Sequence, residues 1–236
     1  KVLVPQWLEA MNGDAEGSFH DRVLSELDKL GLASNFIFHN WINQADMAAY
    51  YSAGQLTLCL GNLVEAFGNV AYESLFCGTP VIAARVGVHR SQLPDDLICK
   101  VDYGDIQAAA AAAARIIQGR IRVEGQSLKK IQEFFSLSRQ LDAYEQIICK
   151  AEKKTSPEAM PLRVGEDTTF SLAPWCYASA KGVFQDYQAQ HYQLPELQKV
   201  LELTEKITPE VRERFGLSKE TILTWYHLGL LVPVRN

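Results

Sequence analysis

The chain has 236 residues, 47% hydrophobic and 22% charged, which is apolar material enough for one large domain or two unequal ones. A net charge of −5 and a pI near 5.6 exclude a generally basic nucleic-acid binder. No apolar run reaches the roughly 18 residues of a membrane-spanning helix.

In chain order, Lys1-Val-Leu-Val is too short for a signal peptide and reads as a strand. His20 to Leu32 carries Val23, Leu24, Leu27 and Leu30 at helical spacing, closed by Gly31. Residues 35–40 form a second strand, Asp46–Ser52 a short helix and Gln55–Leu60 a third strand. Val70–Phe76 is a helix and Pro80–Ala84 a nearly continuous apolar strand. Strands of that kind are buried on both faces, and their alternation with helices predicts a parallel sheet with crossover helices. Ile106–Gln118 is an alanine-rich helix, and Ile121–Phe135 and Ser138–Lys150 are two more.

Residues 152–161, charged and holding two prolines, read as a linker. Beyond it Thr168–Leu172 and Gly182–Tyr192 look strand-like, the latter rich in aromatics that suit the core of a small domain. Leu194–Lys206, Pro209–Phe215 and Lys219–Leu228 read as helices, the last two capped by Thr208 and Ser218. Gly229 ends the last helix, and Leu230–Val234 leaves as an extended tail. The turn at Phe215–Leu217 has helix-turn-helix spacing, so the region reads as a small, mainly helical, winged-helix-like domain. From Met160 onward there are eight Lys/Arg against nine Asp/Glu, which disfavours DNA and points to a protein or peptide partner.

Five cysteines (Cys59, Cys77, Cys99, Cys149, Cys176) are scattered, with no Cys-x-x-Cys pair. They predict reduced, structural thiols in a cytoplasmic protein rather than a zinc site or a disulfide framework. No acidic metal triad and no dinucleotide, P-loop or Gly-x-Ser-x-Gly motif is present.

The chemistry concentrates in residues 63–83. A strand ends near Leu60, a loop carries Glu65, and a helix opens around Gly68-Asn69 with Glu73 inside it. A glycine at that corner lets a ligand approach the backbone. The first-turn amides, with the dipole behind them, suit an anion such as phosphate. Two carboxylates beside them suit a ligand with neighbouring hydroxyls. A sugar nucleotide offers both features. His39, His89, Arg85 and Arg90 lie near the same crevice, and the two arginines could add phosphate contacts.

Glu65-Ala-Phe-Gly68, Glu73 and Cys77-Gly-Thr-Pro-Val-Ile-Ala83 together resemble the E-x7-E region of the retaining GT-B glycosyltransferases, glycosyltransferase group 1. Phe38-His-Asn-Trp41 with Tyr50-Tyr-Ser-Ala53, and Phe135-Ser-Leu-Ser138, resemble the flanking segments. The resemblance implies a Rossmann-like α/β nucleotide-sugar lobe over residues 1–153, a linker over 154–162 and the small domain over 163–236. It implies that Glu65, the catalytic-site residue, contacts donor sugar hydroxyls. The amides of Phe67, Gly68 and Asn69 would face sugar and diphosphate, and Glu73 the ribose. It further implies a nucleoside diphosphate sugar as donor substrate, with no cofactor and no metal.

The sequence departs from the pattern at Gly61-Asn62, where Pro-Ser is common, at Gly87-Val88, where a glycine pair is usual, and at Ser91, where a glutamate is common. The resemblance implies that a loop supplying an arginine and a lysine to the diphosphate precedes Lys1, and that an acceptor lobe belongs to the protein beyond these residues. The expectation is therefore a donor lobe that works with an N-terminal lobe of the same protein and is inactive by itself. Two alternatives stand beside it: a non-catalytic scaffold or regulator with a transferase-like lobe, and a DNA-binding regulator acting through the C-terminal helices.

Overall fold

The computed structural model describes residues 1–5, 19–40, 42–61, 67–92, 95–151 and 164–234, and the chain divides into two units, Lys1–Ala53 and Gly54–Asn236. Glu65 and the expected linker lie outside the described residues.

In the first unit β1 (Val2–Pro5) pairs in parallel with β2 (Phe36–His39), Val2 opposite Phe36 and Pro5 opposite His39. Between them runs α1 (Phe19–Lys29), with Asp21 in its first turn and Lys29 in its last, the charge order that a helix dipole favours. Gly31 follows at φ +67°, and the helix buries Leu27. The unit ends in α2 (Met47–Ala53), which buries Tyr51.

The second unit is built on β3 (Thr57–Cys59), β4 (Val81–Ala84) and β5 (Ile98–Val101), parallel and in that order. All four residues of β4 are buried, as its unbroken apolar run predicts. Because strand side chains alternate, β4 serves two cores. Val81 and Ala83 pack with Ala71, Leu75 and Ile131 from α3 (Asn69–Phe76) and α6 (Gly125–Phe134). Ile82 packs with Val101 and with Ala109, Ala112 and Ile116 of α5 (Ile106–Gln118). The α5 residues recur at helical spacing, and small alanines let the helix lie close to the sheet. Asp105 caps it by accepting from the Ala108 amide at 3.0 Å.

Inside the lobe Ser74 is fully buried and donates to Thr57 Oγ1 (2.8 Å), tying α3 to β3. The α6 helix starts at Gly125, four residues later than the sequence suggests. Its predecessor Val123 donates its amide to Gly78, and Gly125 itself sits at φ +60°. The last helix of the lobe, α7 (Leu137–Cys149), is capped by Ser136. The sequence reading leaves β5 unassigned because Lys100 interrupts its apolar pattern. The folded chain accommodates that lysine by aiming its Nζ at Asp95 (2.7 Å) and at the Arg90 carbonyl (2.9 Å).

Residues 164–234 correct the expectation of a mainly helical region, since the described residues hold six short strands beside three helices. A meander runs through β7 (Cys176–Ser179), β8 (Gly182–Gln185) and β9 (Gln190–Tyr192). The single strand-like stretch expected over 182–192 is thus two strands, split by a 3-10 turn at Asp186–Gln188 with Ala189 at φ +49°. A second sheet has the order β10 (Lys206–Ile207), β6 (Phe170–Leu172), β11 (Leu231–Pro233), all antiparallel.

The expected tail is β11, and the long helix expected over 194–206 stops as α8 (Pro195–Leu201) before β10. Both differences have one cause: the strands gain partners far away in sequence, which periodicity does not register. α9 (Pro209–Phe215) and α10 (Lys219–His227) form where expected, with Thr208 and Ser218 accepting from the Val211 and Thr221 amides. Gly216 turns the corner at φ +62°. Phe170, Val183, Leu197, Val200, Ile222 and Trp225 fill the core between the helices and strands.

Candidate donor site

The site grows from the turn that opens α3. Gly68 has φ +82° and ψ 37°, a left-handed conformation that costs an L-residue about 1–2 kcal/mol and glycine little. Its carbonyl accepts from Ala71 (3.0 Å) and Tyr72 (3.2 Å) and starts the helix. The amides of Asn69 and Val70 come before any acceptor within the helix, so they face outward at its positive end. That end lies on the carboxyl side of the parallel strands, where open α/β sheets bind their ligands.

Phe67 precedes the turn with its ring 5.6 Å from Tyr72 and half exposed, within an aromatic group that includes Phe135. Tyr72 is held by its hydroxyl, which donates to the Gln92 carbonyl (3.2 Å), and burial raises its pKa. Asn69 and Glu73 are both exposed and stand one turn apart on α3, so they share a face of the helix. The structure thus places Phe67, Gly68 and Asn69 at the start of α3 and Glu73 one turn further along it.

The loop after β4 joins them. Gly87 has φ 54° and ψ −133° and starts a single-turn helix, α4 (Val88–Ser91). A Cβ added to Gly68 would meet His89 Cδ2 at 3.1 Å and Val88 Cγ1 at 3.4 Å, so these two side chains wall the corner. His89, a candidate in the sequence, therefore lies beside the Gly68 turn. His39 is engaged within the first unit, where its Nε2 pairs with the Tyr50 hydroxyl and its Nδ1 with the Asn40 carbonyl, both at 2.8 Å. A carbonyl can only accept, so Nδ1 carries the proton and Nε2 accepts from Tyr50.

The arginines are turned to other work. Arg90 forms a two-pronged pair with Asp186, Nη1 to Oδ1 at 2.9 Å and Nη2 to Oδ2 at 3.1 Å, and Nη2 also donates to the Pro174 carbonyl at 2.6 Å. Its guanidinium lies over the Tyr177 ring, 5.4 Å from the centroid. Arg85 Nε is 3.6 Å from Asp102 Oδ1. Arg90, one of two arginines that the sequence left open as a phosphate contact or a loop charge, is committed to a carboxylate from the far end of the chain.

Sequence reasoning missed Asp186. Its signal is an acid alone inside the aromatic stretch 182–192, because a charge in such a run must be paired if it is buried. A cavity of about 640 Å³, lined by Pro80, Leu97, Ile98, Arg115 and Arg122, runs along β5 and does not include the α3 turn.

A Rossmann-like α/β lobe with a glycine-opened helix at the carboxyl ends of parallel strands is the architecture of a GT-B glycosyltransferase. Residues 3–133, more than half of the chain, match the family Glycosyl transferases group 1, and the chain belongs to that family. Among curated relatives, D-inositol 3-phosphate glycosyltransferase 2 of Catenulispora acidiphila is 36% identical over 87 residues, 35% of this chain and 20% of that protein. The D-inositol 3-phosphate glycosyltransferase of Thermobifida fusca is 44% identical over 66 residues, 28% of this chain and 15% of that protein. The chain thus spans about a fifth or less of the length of these relatives.

Among solved structures, a sucrose-phosphate synthase from Thermosynechococcus elongatus superposes with a TM-score of 0.50 at 26% identity, covering 63% of this chain and 39% of that one. Anabaena HepE, solved with UDP and glucose, shares the fold at 18% identity and a TM-score of 0.50, covering 56% of this chain and 36% of that one. Among the described residues no helix is long and apolar enough to cross a membrane.

Proposed function

We propose that residues 1–153 form the donor-binding lobe of a retaining glycosyltransferase that moves a sugar from a nucleoside diphosphate sugar to an acceptor. The observation that carries this reading is the left-handed Gly68 turn, which turns the first amides of α3 outward beside the exposed carboxylate of Glu73. On this reading the Phe67, Gly68 and Asn69 amides face sugar and diphosphate, Glu73 accepts from the ribose hydroxyls, and Glu65 accepts from the sugar hydroxyls. Catalysis by these groups is electrostatic: fixed dipoles hold the leaving diphosphate as its charge develops, and the carboxylates orient the donor. The presence of UDP and glucose in the related Anabaena fold supports a nucleotide-sugar ligand.

Within the same proposal, residues 163–236 are an appended winged-helix-like module joined by a linker over 154–162. The α9–Gly216–α10 corner beside the β10–β6–β11 sheet supports that reading of the module. Its near-even charge favours a protein contact over DNA. On this reading the chain by itself turns over no donor.

Val88 at the α3 corner favours one rival, a non-catalytic scaffold, because a branched side chain crowds the place where a ligand approaches the backbone. Calorimetry with UDP, GDP and ADP separates the two. Saturable binding of one nucleotide, weakened in Glu73→Ala, supports the donor lobe, and silence towards all three supports the scaffold.

A further inference from the structure

We propose that Asp186, carried by the C-terminal module, is a positioning residue for the donor crevice; the proposal rests on the donor-lobe reading and extends that site to a residue about a hundred positions beyond it. Asp186 is 2% exposed and takes three hydrogen bonds from one loop: the Gly87 amide at 3.0 Å and both terminal nitrogens of Arg90. Arg90 is fixed in turn on the module side by the Pro174 carbonyl and the Tyr177 ring. Its own carbonyl receives Lys100 Nζ from β5.

Around this ion pair the module presses apolar surface onto the strand ends. Tyr177 and Phe184 pack with Ala84 and Val86, and Tyr103 donates its amide to the Tyr177 hydroxyl at 3.3 Å. The loop therefore receives its position from the module on one side and from the sheet on the other.

The consequence for the site follows from the size of α4. Four residues make a helix too short to hold itself, because nucleation costs more than its few internal bonds return. Contacts outside the helix must fix it, and those at its third residue, Arg90, and at the preceding glycine lead to Asp186 and to Lys100 of β5. α4 carries Val88 and His89, the two side chains that wall Gly68. Releasing Asp186 removes the bond to Gly87 and the two carboxylate bonds to Arg90, loosens α4, and lets the wall shift at the donor crevice without touching any residue that faces the donor directly.

The test uses the full chain and three variants. Asp186→Asn keeps the shape and removes the charge, and Asp186→Glu restores the charge on a longer arm. Val200→Ala loosens the module core, where Val200 is fully buried in a cluster separate from the one that holds Val86, Tyr177 and Phe184. Hydrogen exchange of the Gly87–Arg90 amides is read without ligand, and affinity is read by calorimetry with UDP, GDP and ADP. Expected are loop exchange faster by about tenfold or more, and nucleotide affinity weaker by about tenfold, in Asp186→Asn. Partial recovery is expected in Asp186→Glu, and unchanged affinity in Val200→Ala.

Unchanged loop exchange in Asp186→Asn overturns the contact itself. Faster exchange with undiminished affinity, or equal losses in Asp186→Asn and Val200→Ala, overturns the positioning role. Silence of the unsubstituted chain towards all three nucleotides overturns the donor reading, and the exchange measurement then still decides whether Asp186 holds the loop.

Discussion

Gly68 and His89 meet across the corner of α3: a methyl group placed on Gly68 would lie 3.1 Å from the imidazole Cδ2. The contact joins two loops that follow different strands, so the α3 amide end and the α4 turn form one surface.

Gly68→Ala carries two penalties, a left-handed backbone angle of +82° and the close approach to His89. A stability loss of about 1–2 kcal/mol is expected from the angle alone, read as a lower urea midpoint. Adding His89→Ala relieves the contact and not the angle, so the double variant should recover only part of the loss. Full recovery would show that the backbone is unstrained.

Glu73→Ala should weaken nucleotide binding by about tenfold, the worth of a charge-assisted hydrogen bond to a ribose hydroxyl. Glu202→Ala, on the exposed end of α8, should leave it unchanged. Glu65→Ala, in the complete enzyme, should lower transfer activity severely. Equal affinities for Glu73→Ala and Glu202→Ala in calorimetry would remove Glu73 from the site.

Arg90→Ala leaves the Asp186 carboxylate buried with only the Gly87 amide and no counter-charge. Breaking a buried pair from one side costs about 3–5 kcal/mol, mainly from the stranded charge. Urea denaturation should show a loss of that order. Combining it with Asp186→Ala should recover part of the loss, because the stranded charge disappears. Strict additivity of the two substitutions would refute the pairing as the cause.

The pH dependence of stability has two arms near this interface. Burial raises the Cys176 thiol to about 12, helped by the neighbouring Asp186 charge, and burial raises the Tyr177 hydroxyl to about 12. Both groups are neutral when protonated, so their contribution is complete below the unfolded values near 9 and 10 and is lost as pH rises towards 12. His191, whose Nε2 is buried with no hydrogen-bond partner among the described residues and whose ring is 4.8 Å from Phe184, has its pKa lowered by burial against the opposing Asp102 charge. Its contribution is present above the ordinary imidazole value of 6.5 and is lost as pH falls through the lower folded one. Thermal melts across pH should decline on both sides. The alkaline decline should shrink in Cys176→Ala, and the acid decline in His191→Phe; melts unaltered by both substitutions would contradict the assignment.

Local signals were legible where local physics decides the outcome. The continuous run of β4, the Ala109–Ala112–Ile116 stripe of α5, and the caps at Thr208 and Ser218 all depend on residues within a turn or two of one another. Gly68 and Glu73 were legible as a helix end for the same reason. β5 and β11 were not. Lys100 breaks the pattern of β5 and is tolerated only because Asp95 and the Arg90 carbonyl receive it, while Leu231 becomes a strand only opposite Leu172, some sixty residues earlier.

The sequence by itself determined the α/β lobe and the glycine-opened helix that carries Glu73, because spacing along one chain segment sets which groups share a face. Only the tertiary structure decided what Arg90 and Asp186 do. Read singly, each is an ordinary charge in a loop. Removed from water together, each must find the other, and the pairing fixes the loop against Gly68 because a buried charge tolerates few arrangements.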